Sequence, residues 1–376
     1  MTRIYLIRHA QSEGNLYRRA LGWYDGHVTA LGRRQIAALE DRFRDVPIDA
    51  VYASDLSRAR ETAQAVAVPK GLEVRCDPAL REIHLGELTN IPYGDLSYHH
   101  PDLYDAFFSY SPQWAPRGGE TFQQAADRIA PALFRIAADH PGQSVAVFSH
   151  AMAIHCFQAA LRGKHPSQVT YLPMGENTAV SCYEVRENRF RILFENDASH
   201  LTEELTSAGL RQGKGAPPLV WFQAMDLDRE EDVKFYRAAR QDAWELVHGS
   251  LRGFDGPGFL AEAKRQLPWD RRNLQKVMLR SRAVGLLQLD VLQGAREEVG
   301  HIPFFYLRPD YRGKGIGAQL LGQAVSVYQP MGRKCLRLLC DPGNEPAQRF
   351  YRRYGFQKKG QAPGALGPLD LLEMPL

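Results

Sequence analysis

The sequence predicts an α/β protein with two domains, the first of alternating strands and helices and the second built around an antiparallel meander. Its 376 residues are enough for two or three domains of ordinary size. Short apolar segments alternate with helical patterns in the first half, whereas tight turns join the apolar segments of residues 277–307. Residues 202–218 hold glycines and prolines but few large apolar side chains. We therefore expect domains at 1–201 and 219–376 with a linker between them.

The composition is that of ordinary globular domains. Hydrophobic residues make up 44% of the chain and charged residues 24%, and the net charge is only +4. No run of Lys and Arg is long enough to indicate a nucleic-acid partner. No apolar run approaches the length of a membrane span, and residues 4–7 are too few for a signal peptide. We expect a cytoplasmic protein without nucleic-acid or membrane partners.

The five cysteines indicate neither a disulfide framework nor a zinc site. Their number is odd, and no two are spaced as Cys-x-x-Cys. We expect reduced thiols packed in the core at Cys76, Cys156, Cys182, Cys335 and Cys340.

A histidine follows the first apolar segment. Residues 4–7 predict a buried strand, and Arg8 and His9 stand at its carboxyl end, where open α/β sheets build their sites. A neutral imidazole held there is a nucleophile, and the adjacent cation can bind the anion that it attacks. Phosphate is the natural anion. Taken alone, however, such a pair is more often a structural strand end.

Two further segments favour the functional interpretation. Residues 144–150 form a second apolar strand that ends in a histidine, so two imidazoles could meet at one edge of the sheet. Residues 50–53 predict another strand, and a helix follows it with Ser54 or Asp55 as its cap. Arg58 then lies one turn inside that helix, near free N–H groups that favour an anion.

The rest of the first domain is predicted from hydrophobic spacing and turn residues. Glu82 supplies a carboxylate shortly before a loop glycine, Gly86. The other predicted elements are a helix capped by Thr29, a helix through 122–133, and a hairpin of strands 179–185 and 189–195 around Glu187 and Asn188.

In this order the segments resemble the histidine phosphatase superfamily, which has the phosphoglycerate-mutase-like fold. The resemblance covers residues 1 to about 201 and implies a three-layer α/β/α architecture. It rests on five motifs in combination: Arg8-His9, Ser54-x-Leu-x-Arg58-Ala-x-x-Thr-Ala, Glu82 before Gly86, Gly119-Glu120-Thr121, and Ser149-His150.

The resemblance implies roles for individual residues. His9 would be the phosphorylated nucleophile, and Glu82 would donate a proton to the leaving oxygen. Arginine suits phosphate because its fixed fork clamps two oxygens while charge spreads over them during transfer. No metal is required by this arrangement. The phosphate pocket would consist of Arg8, Asn15, Arg58 and His150.

Departures from the family pattern concern the substrate and not the phosphate grip. The sequence has Ala10-Gln11-Ser12 where Gly-Glu-Thr is common, and Leu88-Thr89-Asn90 where Trp-Glu-Gly is usual. Ala151 follows the second histidine where Gly is typical. The expected partner is therefore a small phosphorylated metabolite whose identity the sequence does not give.

The second domain begins with a strand and a long helix. Residues 219–223 predict the strand, and Asp228 would cap the helix with Glu231 in the reciprocal position. Gly249 would end the helix. Three strands then form the antiparallel meander, at 277–280, 283–291 and 299–307.

A glycine-rich loop follows the third strand of the meander. Residues 308–317 contain Gly-x-Gly-x-Gly and lead into a helix, so backbone N–H groups and the helix dipole could hold a pyrophosphate. The spacing is neither that of a Rossmann fingerprint nor that of a P-loop, and the preceding sheet is antiparallel. For the loop alone, a turn with only a packing role is the alternative.

The segments after this loop complete a second resemblance. Residues 336–340 predict a strand, and a helix that starts at Asn344 ends at Gly355. Together with Arg312-Gly-Lys-Gly-Ile-Gly317, this order resembles the GNAT-type N-acetyltransferases over residues 219–376. It implies an α+β fold with a mixed, largely antiparallel sheet.

By this resemblance acetyl-CoA is the co-substrate and an amine is the acceptor. Tyr351 would protonate the departing thiolate, with an ordinary packing aromatic as the alternative. The general base is left unassigned, although Glu297, Glu298 and His301 lie at the start of the strand before the loop. Acetyl-CoA would be bound by the backbone of Leu307, by the loop residues Arg312, Gly313, Lys314, Gly315, Ile316 and Gly317, and by Asn344.

The sequence thus predicts a bifunctional enzyme, a phosphomonoesterase with a phosphohistidine intermediate joined to an acetyl-CoA-dependent N-acetyltransferase. Two alternatives stay open. The first domain could be a mutase-like phosphotransferase, which would need a second phosphate-binding set around the substrate. One domain could instead be a regulatory module that binds its ligand without turnover.

Overall fold

The computed structural model describes residues 1–187, 189–206 and 216–376. It divides the chain into two compact units, Met1–Ala216 and Pro217–Leu376. Within the described residues, every helix is too short or too polar to cross a membrane.

A six-stranded sheet forms the centre of the first unit, in the order β4-β3-β6-β1-β7-β8. Strands β4, β3, β6 and β1 are parallel, and β7 and β8 are antiparallel additions at one side. Strands β2 and β5 pair separately. The strands are β1 (Thr2–Arg8), β2 (Arg19–Ala20), β3 (Ala50–Ala53), β4 (Val74–Cys76), β5 (Ile91–Pro92), β6 (Ser144–Ser149), β7 (Val180–Arg186) and β8 (Arg189–Asp197).

Helices cover both faces of this sheet. The helices of the first unit are α1 (Glu13–Tyr17), α2 (Ala30–Phe43), α3 (Ser57–Ala67), α4 (Tyr93–His99), α5 (Pro101–Phe108), α6 (Phe122–Asp139) and α7 (Ala151–Ala160). Side chains of α2 and α3 pack on one face, where Ile7 of β1 points. Those of α6 and α7 pack on the other face with Ile4 and Leu6. This alternation buries both faces of β1 and confirms the predicted three-layer α/β/α architecture.

The start of α3 differs from the sequence prediction, which named Ser54 or Asp55 as its cap. The N-cap position is Leu56, whose side chain cannot cap. Asp25 from a distant loop accepts the hydrogen bond of the Ser57 backbone N–H at 2.6 Å instead. Asp55 is not free for capping because its carboxylate binds Arg81. Arg58 therefore lies in the first turn of the helix and not one turn inside it.

The segment after β8 belongs with the first unit. Leu205 is buried, and its carbonyl accepts a hydrogen bond from Gln35 of α2 at 2.7 Å. Residues 202–206, which the sequence assigns to the linker, are thus packed against the first unit. Residues 207–215 of the predicted linker, and Asn188 of the predicted hairpin turn, lie outside the described residues.

The second unit contains a seven-stranded sheet in the order β14-β15-β13-β12-β11-β10-β9. Only β12 and β13 are parallel neighbours, so the sheet is mixed and largely antiparallel, as predicted. Its strands are β9 (Trp221–Ala224), β10 (Leu274–Leu279), β11 (Arg282–Asp290), β12 (Val299–Leu307), β13 (Cys335–Cys340), β14 (Gln357–Pro363) and β15 (Pro368–Pro375). Its helices are α8 (Glu230–His248), α9 (Gly256–Gln266), α10 (Ile316–Tyr328) and α11 (Glu345–Arg353).

The structure confirms the predicted carboxyl end of α8 and contradicts its predicted amino end. Gly249 ends the helix in the left-handed conformation, with φ of 67°. The predicted cap at Asp228 is wrong, because Arg229 holds the N-cap position and makes no side-chain cap. Asp228 lies in a turn in which its backbone N–H donates to Asp226 at 3.0 Å.

Candidate active sites

The predicted nucleophile lies at the carboxyl end of β1. Nδ1 of His9 is 2.7 Å from the carbonyl oxygen of Ala10, so Nδ1 carries the proton and the lone pair is on Nε2. Burial lowers the pKa of the His9 imidazole well below its ordinary value, and Arg58 and Arg8 lower it further. His9 is therefore a neutral base with its lone pair on the nitrogen that does not face the backbone.

The second imidazole meets the first at the edge of the sheet, as predicted. The ring centroids of His9 and His150 are 5.1 Å apart, because β1 and β6 are parallel neighbours. His150 is fully buried, and burial, then Arg58, lowers its pKa well below the ordinary value. Both of its ring nitrogens lack a hydrogen-bond partner within the part of the chain that the structure describes. A buried polar group of this kind is one that a polar ligand would satisfy.

Two arginines reach the histidine pair from different elements. Arg58 of α3 is 2% exposed, and it donates to the carbonyl groups of Gly22 at 2.8 Å and Tyr24 at 2.9 Å. Arg8 donates to the Gly175 carbonyl at 2.5 Å. Burial lowers the pKa of both groups, that of Arg58 to about 10. Neutral carbonyl groups thus fix both guanidiniums while their positive charge remains available to an anion.

Glu82 closes the amino end of α7. Its Oε1 accepts hydrogen bonds from the backbone N–H of Ile83 at 2.9 Å and of Ala153 at 3.0 Å, and its Oε2 accepts one from Met152 at 3.2 Å. The carboxylate also attracts both arginines of the site. The predicted proton donor therefore interacts with the same two arginines as the predicted nucleophile, and a helix end fixes its position.

Arg128 of α6 supports the segment that carries Glu82. It donates to the backbone carbonyl groups of Ala79, Arg81 and Glu82 at 2.9 to 3.1 Å, and it forms an ion pair with Glu120 at 2.7 Å. Sequence reasoning missed this residue. The motif Gly119-Glu120-Thr121 was the one signal that could have indicated it, through the partner that Glu120 requires.

Asn15 lies beside the nucleophile but is tied into the start of α1. Its side-chain oxygen accepts a hydrogen bond from the Ser12 backbone at 3.0 Å. Asn177, which the sequence analysis did not single out, donates to the His9 carbonyl at 2.9 Å and lies 3.4 Å from the Asn15 oxygen. These contacts hold the backbone of His9 from the side opposite to β6.

A cleft opens beside Arg8 in the first unit, between α7 and the segment before β7. Its walls mix apolar side chains with a few polar ones. They are formed by Arg8, Ala151, Ile154, His155, Gln158, Pro173, Met174, Gly175 and Asn196. Across the described residues, no group of three or more His, Cys, Asp or Glu is placed to hold a metal ion.

In the second unit, β12 and β13 separate beyond their first residues. They pair only from Val299 to His301 and from Cys335 to Arg337. The predicted loop follows the free end of β12 and leads into α10, with φ of 70° at Gly313 and 77° at Gly315. The opening between two parallel strands, with a glycine loop and a helix amino end beside it, suits an extended anionic ligand.

The side chains of two predicted CoA-binding residues have partners within the second unit. Arg312 donates to the Leu307 carbonyl at 2.8 Å and forms an ion pair with Asp242 at 2.7 Å. Asn344 caps α11 by accepting a hydrogen bond from the Ala347 backbone at 3.2 Å. These contacts shape the loop and the helix end, and binding of CoA by these residues stays a prediction.

Tyr351 of α11 is buried beside the free part of β12. Its ring centroid is 5.9 Å from that of Phe305 and 5.3 Å from that of Phe356. Burial raises the pKa of its phenol above the ordinary value, so the group is protonated at neutral pH. Its predicted role as an acid remains a prediction.

A sequence model of the histidine phosphatase superfamily (branch 1) matches residues 4–198, just over half of the chain. The chain belongs to the histidine phosphatase superfamily. A sequence model of the acetyltransferase (GNAT) family matches residues 231–356. The first unit is therefore a histidine phosphatase domain and the second a GNAT domain, which confirms the predicted fusion.

Relatives of the histidine phosphatase domain include two proteins of Arabidopsis thaliana. Phosphoglycerate mutase-like protein 4 is 33% identical over 204 residues, which cover 53% of this chain and 87% of that protein. Metal-independent phosphoserine phosphatase is 33% identical over 214 residues, 54% of this chain and 84% of that protein. Among solved structures, YhfR of Bacillus stearothermophilus has 31% identity and a TM-score of 0.51, and the match covers 53% of this chain and 99% of that one.

Proposed function

We propose that the histidine phosphatase domain hydrolyses a small-molecule phosphomonoester through a phosphohistidine intermediate. One observation carries this proposal: the neutral imidazole of His9 lies beside Arg8 and Arg58, whose guanidiniums are held by backbone carbonyl groups and form no ion pair among the described residues. A nucleophile and fixed cations at one point are what phosphoryl transfer needs, since its barrier is lowered mainly by positioning and electrostatics.

In the proposed reaction, Nε2 of His9 attacks phosphorus while the bond to the substrate oxygen breaks. Arg8, Arg58 and His150 hold the phosphoryl oxygens, and Asn15 completes the pocket. Protonated Glu82 gives its proton to the leaving oxygen, which departs as an alcohol. Water then attacks the phosphohistidine and gives a proton to the Glu82 carboxylate. Inorganic phosphate leaves, and both His9 and the acid are restored.

Two observations bear on cofactor and reaction type. The relative named as a metal-independent phosphoserine phosphatase supports hydrolysis without a metal ion. The relative named phosphoglycerate mutase-like protein 4 favours phosphoryl transfer to a second substrate oxygen as the second candidate.

Trapping the intermediate tests the phosphatase proposal. With a fast-leaving aryl phosphate and rapid quenching, the full-length protein should carry an acid-labile phosphoryl group, and His9→Ala should carry none. His27→Ala is the matched control, since His27 is exposed. Activity should survive chelators. Loss of activity in chelator, or absence of the acid-labile phosphoryl group on the protein during turnover, would contradict the covalent route.

We further propose that the GNAT domain transfers an acetyl group from acetyl-CoA to an amine. Support comes from the opening between β12 and β13 and from the loop that follows β12. In this proposal the loop from Arg312 to Gly317 holds the pyrophosphate, and the Leu307 backbone holds the pantetheine arm. The amine attacks the thioester carbonyl, and Tyr351 protonates the departing thiolate. Thiol release from acetyl-CoA, measured with and without amines, separates this enzyme from a module that only binds CoA.

A further inference from the structure

One arginine of the second unit, Arg240, is half-buried in an aromatic cage. Arg240 of α8 lies over the ring of Phe304 in β12 at 3.9 Å, of Phe259 in α9 at 4.6 Å and of Tyr236 at 5.4 Å. Its Nε donates to the Tyr236 hydroxyl at 3.0 Å, and its Nη2 donates to the side-chain oxygen of Gln288 at 2.6 Å. The guanidinium is therefore fixed in one orientation by five different contacts.

The partners of Arg240 are all uncharged. Among residues 216–376, which the structure describes, none gives it an ion pair. Glu262 attracts it from farther away, but that carboxylate already binds Arg265 and Gln266. Lys276, a half-buried cation of the same unit, is instead paired with Asp232 at 2.7 Å. A partly desolvated charge that forms no ion pair is one that an external anion would stabilise.

The two hydrogen bonds of Arg240 leave most of its donors for a ligand. A guanidinium has five N–H groups, and Tyr236 and Gln288 engage one each. The remaining N–H groups include both on Nη1 and one on Nη2. That set is the fork that binds a carboxylate or a phosphate through two parallel hydrogen bonds.

Arg240 also lies on the side of β12 from which an acceptor would arrive. Side chains alternate along a strand, so Phe304 faces α8 while Phe305 faces α11 and Tyr351. Phe304 belongs to the part of β12 that is not paired with β13. A CoA chain in the opening, with its thiolate near Tyr351, would leave the face of Arg240 open to the amine.

We propose that Arg240 binds an anionic group, a carboxylate or a phosphate, of the acetyl acceptor, which is therefore an acidic amine. This inference rests on the acetyltransferase function proposed above and specifies its substrate class. Tyr236 and Gln288 act as positioning residues that hold the fork toward the opening beside β12.

The test uses full-length protein and two matched pairs of acceptors. Phosphoethanolamine is compared with ethanolamine for the phosphate, and β-alanine with β-alaninamide for the carboxylate. The wild type should prefer the anionic member of at least one pair, and the preferred pair identifies the anion. Arg240→Met should lower kcat/KM for that member about 10- to 100-fold, the range expected for lost charged hydrogen bonds. Acetyl-CoA affinity and the rate with the uncharged member should not change.

Control variants keep the outcome decisive. Arg237→Met removes an exposed arginine of the same helix and should change nothing. If Arg240→Met fails to fold, Arg240→Lys is used instead. Lysine keeps the positive charge but lacks the two parallel N–H groups of the guanidinium, so KM for the anionic acceptor should still rise. Preference for the uncharged member in both pairs, or equal losses on both members, would overturn the role of Arg240.

Failure of the acetyltransferase proposal gives a different result. In that case acetyl-CoA stays intact with every acceptor. Calorimetric binding of phosphoethanolamine and β-alanine to the CoA-bound protein then tests Arg240 directly. Binding that Arg240→Lys weakens supports the anion site without transfer. Absence of binding, or binding that the substitution leaves unchanged, would overturn the anion site as well.

Discussion

The Glu82 carboxylate accepts a hydrogen bond from the backbone N–H of Ala153 at 3.0 Å and thereby caps the helix that begins after His150. The side chain of Glu82, the predicted proton donor, is thus bonded to the helix that follows the second histidine. A glutamine at this position can still accept from Ile83 and Ala153 with its amide oxygen and loses only the Met152 contact, but it has no carboxylic proton to give. The capping function and the proton transfer can therefore be separated by one substitution.

We expect Glu82→Gln to slow the hydrolysis of alkyl phosphates about 10²- to 10⁴-fold, the usual contribution of a general acid. Aryl phosphates should be affected far less, because their leaving groups need less protonation. The measurement is kcat/KM for the two substrate classes, with thermal unfolding as the check that α7 keeps its cap. Glu87→Gln, on an exposed neighbour, should leave both classes unchanged. Equal losses on both classes would mean that Glu82 only positions the substrate.

A second prediction concerns acid stability and begins at His200. Arg42 can only donate, so its contact with Nδ1 of His200 at 3.0 Å leaves the ring proton on Nε2, which lies 3.0 Å from the Thr178 hydroxyl. Burial, reinforced by Arg42, lowers the pKa of His200 to about 4. Since this value lies below the ordinary histidine pKa of about 6.5, the unfolded chain takes up the proton first as the pH falls.

The folded state should therefore lose stability between about pH 6.5 and pH 4, and His200→Gln should reduce that loss. Glutamine can accept from Arg42 and donate to Thr178 without titrating. The limit for one group is about 1.4 kcal/mol per pH unit, and the half-buried position of His200 makes the effect smaller. Urea unfolding at neutral and acid pH measures it, with His99→Gln, an exposed site, as the control. An unchanged pH dependence would contradict the role of His200.

The parts of the phosphatase site that the sequence predicts are those carried by short local patterns. Apolar strands that end in histidine predicted where His9 and His150 meet, because parallel neighbours bring their carboxyl ends together. The contacts that fix the site are long-range. Asp25 caps α3 from 32 residues away, and Arg128 reaches Glu82 across 46 residues. Neither spacing follows a helix or strand period, so no local pattern could indicate it.

The second unit shows the same division between local and long-range information. The meander, the glycine loop and the end of α8 at Gly249 all follow from local residues. The polar strand β14 has an exposed face and no clear apolar alternation, so it was not predicted. The cage around Arg240 joins side chains from α8, α9, β11 and β12, which meet only in the folded sheet.

A third prediction tests the glycine loop. A Cβ atom at Gly313 would meet nothing within 4 Å, but its φ of 70° is unfavourable for any other residue. Gly313→Ala should therefore shift the loop backbone and weaken acetyl-CoA binding by about tenfold, a cost of roughly 1.4 kcal/mol. Gly332→Ala is the matched control, since that glycine has φ of 72° and equally open surroundings away from the loop.

Calorimetric titration with acetyl-CoA gives the affinities of both variants. Phosphatase activity should stay at the wild-type level in each. Equal affinity for acetyl-CoA in Gly313→Ala and Gly332→Ala would contradict the assignment of the loop. Gly315 is a poorer choice, because a Cβ atom there would lie 2.7 Å from Pro217 and would also disturb the packing of the loop.

The last prediction concerns the independence of the two units. Each has a hydrophobic core of its own, formed in the first unit by Leu6, Leu133 and Phe157 among others, and in the second by Leu286 and Tyr306 among others. A unit whose apolar side chains are buried within itself does not need a partner domain to fold. We therefore expect fragments 1–206 and 214–376 to be soluble when made separately. The first should hydrolyse phosphomonoesters with the kcat/KM of the full chain, and the second should bind acetyl-CoA with the same affinity as the full chain.

Thermal unfolding of each fragment, compared with the full chain, checks that each unfolds cooperatively. Insoluble fragments, or a fragment whose unfolding temperature falls by many degrees, would mean that the two units bury a large shared interface.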